Sequence, residues 1–418
     1  MKRYDVVVAG GGFAGFCAAV SAAQGGSRVL LIEKGNCLGG AACAGLVFPF
    51  MPYFTIDPEN GKREYLVEGL FGKIIEEMRK LYPKTDDSHF HEEYLKLVLN
   101  RMALQAGVEL LFHATVMGVQ REGKVLKSVS VAGPGGITVY AADIFVDCTG
   151  NGDVAALSGC SFCLGRTEDH LCQPMTLCFR VGGVDVSQFY REKDRLTDLY
   201  KQWQKAGKIQ NCREDILVFT YVVDRVLHFN STRIVKLDPT DTGAITKAEI
   251  LSREQVFELF FFLKENAKSF ENAEILSTAS EIGVRESRMV TCEYLLTQED
   301  LIGCTKFEDA ICCGNYDIDI HNPEGSGTSH FYFAPGTYYT VPYRSLCAKD
   351  VDNLLVAGRC IGATHEAQAS VRIMPICAAL GQAAGTAAAL ALEIHTSVKA
   401  VDIQALQGRL RAAGARTD

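Results

Sequence analysis

The chain has 418 residues, with 42 basic against 50 acidic side chains and a net charge of −8. That balance offers no attractive field to a phosphate backbone and speaks against nucleic acid as a partner, while the length exceeds what one core usually supports and sets two domains as the expectation. The 16 cysteines are scattered, and the chain opens on charge and a strand rather than a signal peptide, so a reducing cytoplasm is the expected setting.

Residues 4–9 read as a buried strand, 14–25 as an Ala-rich helix and 28–33 as the next strand, a βαβ unit that starts a parallel sheet. The first connection is Tyr4-Asp-Val-Val-Val-Ala-Gly10-Gly-Gly12-Phe13-Ala14-Gly15, a strand running into a Gly-rich turn. Gly10 permits the tight bend, Gly12 lets backbone approach a pyrophosphate, and Gly15 lets the helix sit on the strand; the helix N-terminus adds free N–H groups and partial positive charge. Glu33, at the end of the second strand, is placed to accept both hydroxyls of a ribose and would repel a 2′-phosphate.

Residues 64–106 follow a mostly helical period and lead into a strand at 108–113. From 115 to 148 short β segments alternate around Gly133-Pro-Gly-Gly136, a hairpin turn, which makes a β-meander laid against the sheet. After Asp147-Cys-Thr149-Gly150-Asn-Gly152-Asp153 the composition changes: 175–181 reads as a strand, 185–206 and 253–268 as charged helices. Asn353-Leu-Leu-Val-Ala-Gly358-Arg then returns as a strand, followed by a loop at 359–374 and an apolar helix that opens at Pro375, a residue suited to a first helical position. The expected fold is α/β: a Rossmann-like nucleotide-binding domain, parallel sheet plus β-meander, from 1–163 and 346–418, interrupted by an α+β substrate or cap domain at 164–345.

The apolar run 376–392 falls short of the roughly twenty residues of a membrane span and carries Gln382 and two glycines, so a buried helix is expected and no membrane span. A nicotinamide enzyme needs only a contiguous doubly wound domain. A chain that returns after a long insertion and offers a second helix N-terminus fits a flavin, whose reduced form gathers charge at N1 and O2; a helix end stabilises such charge by roughly 0.3–2 kcal/mol. The alternative is that Pro375 simply starts a core helix.

The stretch from Val351 to Pro375, continuing through Gly381-Gln-Ala-Ala-Gly385, resembles the FAD-dependent oxidoreductase family of the glutathione-reductase-like superfamily, related to the fumarate reductase and succinate dehydrogenase flavoproteins. Leu38-Gly-Gly-Ala-Ala-Cys-Ala-Gly-Leu-Val, Gly283-Val-Arg-Glu-Ser-Arg288 and Tyr339-Thr-Val-Pro-Tyr-Arg-Ser-Leu346 carry the same resemblance, nearly end to end. It implies FAD. Gly10, Gly12 and Gly15 are expected at the pyrophosphate with the helix start Phe13 and Ala14, and Glu33 with Lys34 at the adenosine ribose. Gly39, Gly40 and Ala41 lie beside the phosphates and Val116 under the adenine. Thr149 and Gly150 are further cofactor positions, with Gly358, Pro375 and Ile376 along the ribityl chain and pyrimidine edge.

Flavin chemistry needs a proton donor or acceptor, and cations if the substrate is an acid. His365 and Arg372 match a His and an Arg that hold a substrate carboxylate in the fumarate reductase relatives, at similar but not identical spacing. Against this stand a histidine that only bonds its loop and an Arg372–Glu366 pair. Arg285 and Arg288 are further catalytic candidates if helical, which would put them on one face; a structural ion pair is the alternative. Tyr343 is expected to pack.

Asp317, Asp319 and His321 alternate with isoleucines as on one face of a strand, facing solvent or cofactor in preference to a metal. The loop 322–336 is long enough for a lid. Cys160-x-x-Cys163 with Cys172 lacks a fourth thiolate, so no metal is expected. Cys37 and Cys43 do not fit the Cys-x4-Cys pair of disulfide reductases.

The expected activity is hydride transfer between flavin N5 and a small organic substrate, at a C–C or C–O bond near a carboxylate or hydroxyl. An NAD(P)H- or thiol-linked flavin reductase is the alternative; no second GxGxxG follows a strand, though NAD(P)H or another electron carrier can visit a flavin without one. A tRNA-modifying flavoprotein is more remote, since its turn looks similar but the charge balance opposes it.

Overall fold

The computed structural model describes residues 2–418. The strand Lys2–Ala9 ends in Val6, Val7, Val8 and Ala9, all buried, because it lies inside a sheet covered on both faces. It pairs in parallel with Val29–Ile32 on one side and Gly136–Asp147 on the other. Glu109–Leu111 and Leu354–Val356 complete the parallel part beyond these two neighbours.

The strand Gly136–Asp147 belongs to two structures at once. Its first half pairs antiparallel with Val125–Gly133, which pairs in turn with Thr115–Glu122, so the meander is continuous with the sheet. Gly133 and Gly136 face each other across the Pro134-Gly135 turn, and Gly136 takes the positive φ of +102° that closes it.

The helices Phe13–Gln24 and Met374–Glu393 cross in direct backbone contact. A Cβ on Gly381 would stand 1.9 Å from the Ala14 carbonyl oxygen, and one on Gly385 2.0 Å from that of Ala18. Small residues four apart on both helices allow this approach, which holds the two glycine-rich ends of the chain together. Met374–Glu393 is long and apolar enough to cross a membrane by length and composition, and 89% of its apolar window is buried inside the protein.

A second core gathers Leu46 and residues from Met175 to Ile282. Its antiparallel sheet runs Val218–Thr220, Leu227–Phe229, Phe179–Gly182, Glu274–Thr278, with Phe179 stacked on Phe229. The helices Val186–Lys205 and Thr242–Asn266 accompany it; the latter starts earlier than its charge pattern suggested because Asp241 accepts the Ala244 N–H as an N-cap. Of the strand expected at 175–181, only isolated bridges form at Met175 and Thr176, and the strand proper is Phe179–Gly182.

The stretch expected as one cap divides between the cores. Apolar residues from Val290 to Tyr343 pack in the first core, because Ala310–Gly314 lies against the helix Met374–Glu393, with Gly314 on Ile376. The cores are tied by a buried bidentate pair of Glu92 and Arg180, to which the Tyr221 hydroxyl donates at 2.5 Å.

Candidate functional site

Two glycine turns face each other above the first strand. Gly10 has φ +94°, and a Cβ there would lie 2.3 Å from the Cys148 carbonyl oxygen; one on Gly15 would lie 1.7 Å from that of Gly10. A Cβ on Gly40 would meet the Gly12 Cα at 2.8 Å, and the Gly39 N–H donates to the Gly11 carbonyl at 2.9 Å. Bare backbone at the start of a helix is therefore what this cradle offers a ligand, and a phosphate is the group it suits.

The Glu33 carboxylate is held by the N–H groups of Gly11 at 2.5 Å and Gly35 at 2.6 Å. Each oxygen keeps a lone pair for a ribose hydroxyl. Lys34 points away, exposed, and pairs with Glu281 at 2.8 Å, so its side chain does not share the site with Glu33. Phe13 packs its ring on Phe50 and Phe71 and leaves only its backbone to the cradle. Ala14 is buried, Ala41 sits exposed on the 3-10 turn Gly40–Ala42, and Val116 is half-buried opposite Val131 on the meander.

The Thr149 hydroxyl is committed. It donates to Asp147 at 2.7 Å and accepts from the Asp153 N–H at 2.8 Å, so it shapes the turn rather than waiting for a ligand. Asp147 is wholly buried, and burial raises its carboxyl above the usual range.

Gly358, with φ +98°, approaches Ala14 closely enough that a Cβ would lie 3.2 Å from the Ala14 methyl. The next residue, Arg359, escaped the sequence reading although it stands within the Ala-Gly-Arg run. Its guanidinium lies against Gly150 and donates to Asn151 Oδ1 at 2.7 Å, while its Nε is buried without a partner. The connection expected as a loop at 359–374 contains a helix, His365–Val371, capped by Thr364, before Met374–Glu393 begins with Pro375 and Ile376 buried in its first turn.

Beside these ends lies a polar network across both cores. His365 Nδ1 meets Glu286 Oε1 at 2.7 Å; Glu286 Oε2 accepts the Gln173 N–H at 2.8 Å. The Gln368 side chain donates to the Arg285 carbonyl at 2.9 Å and its oxygen lies 3.4 Å from Gln173 Nε2. Burial works to lower the His365 pKa, but the Glu286 hydrogen bond and charge outweigh it and raise the value.

Four arginines converge there. Arg213 pairs with Asp215, Arg233 with Glu214, and Arg372 lies 3.6 Å from Asp319 with its Nε buried and unpartnered. Arg285 donates to the Pro174 carbonyl at 2.6 Å, the Thr176 hydroxyl at 2.7 Å and Asn230 Oδ1 at 3.3 Å, and forms no ion pair among the described residues. Burial, and then the Arg372 charge, lowers its pKa to about 9. Burial opposes ionisation of Asp319, yet its hydrogen bond to His321 and the Arg372 and Arg285 charges hold its carboxyl below the usual range; burial, then Arg285, lowers His321 to about 3 and keeps it neutral.

Arg372 therefore pairs with Asp319, not Glu366. Arg285 and Arg288 do not share a face, since the segment is not helical: Arg288 begins a short strand and turns to Asp153 at 3.0 Å. Asp319 and His321 lie on the strand Ile318–His321 with His330 opposite Asp319, and no group of three or more potential ligands among the described residues is arranged to hold a metal. Four residues of the expected lid loop, Thr328–Phe331, form the second strand of this hairpin. Tyr343 is buried and donates to the Val398 carbonyl at 2.7 Å. Gln173, Arg213 and Arg233 had no sequence signal that set them apart from ordinary polar residues, whereas Glu286 stood within the Gly283–Arg288 run between the two arginines singled out there.

A parallel sheet with a glycine cradle at its carboxyl end, an acid on the second strand and a second helix N-terminus closing from the far end of the chain define a dinucleotide-binding α/β protein of the flavoprotein class. The sequence model of the family described as FAD dependent oxidoreductase matches residues 5–410, and the chain belongs to that family. Its cofactor is FAD, and the protein is an FAD-dependent oxidoreductase.

Digeranylgeranylglycerophospholipid reductase from Methanocaldococcus jannaschii is 27% identical over 122 residues, 29% of this chain and 31% of the relative, so the chain matches about a third of that protein's length. Among solved structures, an anhydrotetracycline hydroxylase from Streptomyces rimosus aligns over 94% of this chain and 63% of its own, with 14% identity and a TM-score of 0.46. A geranylgeranyl bacteriochlorophyll reductase-like protein from Thermoplasma acidophilum aligns over 99% and 84%, with 14% identity and a TM-score of 0.46.

Proposed function

We propose that the protein exchanges a hydride between flavin N5 and a small organic acid, at a C–C or C–O bond near the carboxylate or a hydroxyl. The observation that carries this reading is Arg285, a guanidinium enclosed by protein with only neutral partners, beside Arg372 with an orphaned Nε. A half-buried cation that forms no ion pair among the described residues offers a place for an anion.

Bound FAD supplies the two-electron carrier. The N–H groups at Gly12 to Gly15 and the Gly39–Gly40 turn would hold its pyrophosphate and Glu33 its ribose, with Arg359 and the Pro375 helix end completing the far side. Arg285 and Arg372 receive the substrate anion. His365, oriented through Nδ1 by Glu286, presents its other ring nitrogen as proton donor or acceptor, and the Glu286 hydrogen bond and charge, outweighing burial, favour its protonated form. NAD(P)H or another electron carrier restores the flavin.

The test is anaerobic mixing of the holoprotein with a panel of hydroxy acids and, after reduction, unsaturated acids, each beside its neutral amide. Acids should bleach or reoxidise the flavin and amides should not. R285Q should raise the half-saturating concentration by about tenfold or more, the loss of one charge-assisted contact. Equal response to acid and amide refutes the reading.

A further inference from the structure

A row of polar side chains leads from the second core to Arg372. Arg233, beside Ile234 of that core, is fully buried and commits its guanidinium to the hairpin Ile318–Phe331 and its tip. Its Nη1 donates to the Gly325 carbonyl at 3.1 Å and the Gly327 carbonyl at 2.8 Å, and its Nη2 lies 3.1 Å from His321 Nδ1 and 3.2 Å from the Thr328 hydroxyl. A guanidinium has donors and no acceptor, so the ring nitrogen it meets must accept. The Thr328 hydroxyl, also 3.1 Å from Nδ1, can take either role and leaves the choice to Arg233.

The proton of a neutral His321 then sits on Nε2, which faces Asp319 Oδ2 at 3.4 Å. Burial, and then the Arg285 charge, oppose a second proton on this ring. The same Asp319 oxygen accepts from the Tyr316 hydroxyl at 3.1 Å and stands 3.6 Å from Arg372 Nη2, beyond hydrogen-bond reach. Arg372 donates instead to the Asp319 backbone carbonyl at 3.4 Å, and its Nε is buried with no partner. Asp319 thus steers Arg372 without saturating it.

We propose that Arg233 and His321 are positioning residues for the anion site. Arg233 fixes His321 as the Nε2–H tautomer, and His321 shares the Asp319 charge, so that Arg372 stays free to take a substrate carboxylate. The role of Arg372 rests on the acid-binding function proposed above; the tautomer of His321 does not. Without the His321 donor, Asp319 closes on Arg372 and competes with the substrate.

The experiment uses the FAD-loaded protein with its histidines labelled in 15N, and oxalate as the probe anion, followed by the flavin absorbance spectrum and the thermal midpoint. Near neutral pH the His321 ring, identified by its loss in either variant, should carry an unprotonated Nδ1 and a protonated Nε2 in two-bond 1H–15N spectra. H321Q sets an amide N–H where Nε2 stood and should bind oxalate within about twofold of wild type. H321N sets its oxygen where Nδ1 stood, which serves Arg233 but deprives Asp319 of its donor; oxalate should bind about tenfold more weakly, the loss of one charge-assisted contact. A proton on Nδ1, or H321N and H321Q proteins that bind oxalate alike, overturns the proposal. Wild-type protein that ignores oxalate overturns the anion site itself, and with it the role of Arg372, whichever nitrogen carries the proton.

Discussion

Gly381→Ala separates packing from propensity at the helix crossing that unites the two ends of the chain. The added methyl would start 1.9 Å from the Ala14 carbonyl oxygen, and real Cβ atoms essentially never come within 3.0 Å, so the helices must part by at least 3.0 − 1.9 = 1.1 Å. The obstacle is backbone, which has no rotamer to retreat into. Overpacking of this kind costs about 1–3 kcal/mol, against which Ala gains about 1 kcal/mol over Gly in helix propensity. With the obstacle rigid, a net loss of about 2 kcal/mol is expected. Gly72→Ala and Gly408→Ala, also within helices but with nothing within 4 Å, are the controls and should gain about 0.5–1 kcal/mol. Because the first helix carries the Gly12–Gly15 cradle and the second the Pro375 end, G381A should also weaken FAD binding. Denaturant unfolding with and without FAD, together with an FAD titration, reads both effects. G381A that unfolds with its controls and binds FAD normally would refute the reasoning.

Three further outcomes follow from the polar groups. The Arg180 pairing and the Tyr221 hydrogen bond, outweighing burial, lower Glu92 to about 2 from 4.5, a difference worth roughly 3 kcal/mol that is present above pH 4.5 and lost as pH falls towards 2. E92Q should therefore be less stable than wild type at pH 7, by about that amount in denaturant titrations, and converge with it at pH 2. For His365 the folded pKa is raised above 6.5, so its contribution is complete below that value and fades as pH rises through the folded pKa. The stability gap between wild type and H365N should thus be larger at pH 5.5 than at pH 9. E33Q replaces one acceptor oxygen by an amide that repels a backbone N–H, and FAD affinity measured by fluorescence quenching should fall by about tenfold.

The frame of the fold was readable because it rests on local rules. A buried strand, three glycines at fixed offsets and an acid at the end of the next strand determine the cradle without reference to distant residues, and Gly10, Gly15 and Glu33 lie where those rules put them. The convergence of Gly358 on Ala14 was legible as a return strand. What stayed hidden depends on long-range encounters: Arg285 and Arg372 come from separate segments, and the Asp319 that pairs with Arg372 stands on a strand whose hairpin partner, Thr328–Phe331, lay in a stretch read as a loop. Arg288 was misplaced for a local reason, since the run around it is extended rather than helical and its side chain follows the strand to Asp153.

The most direct test of the proposed chemistry uses an acid that bleaches the flavin, prepared with deuterium at the carbon beside its hydroxyl. If the protein moves that hydrogen as hydride to the flavin, anaerobic bleaching of the holoprotein slows several-fold with the deuterated acid while half-saturation is unchanged. Bleaching at the same rate with either isotope, or a full panel of acids that leaves the flavin oxidised and fails to reoxidise its reduced form, would contradict the account.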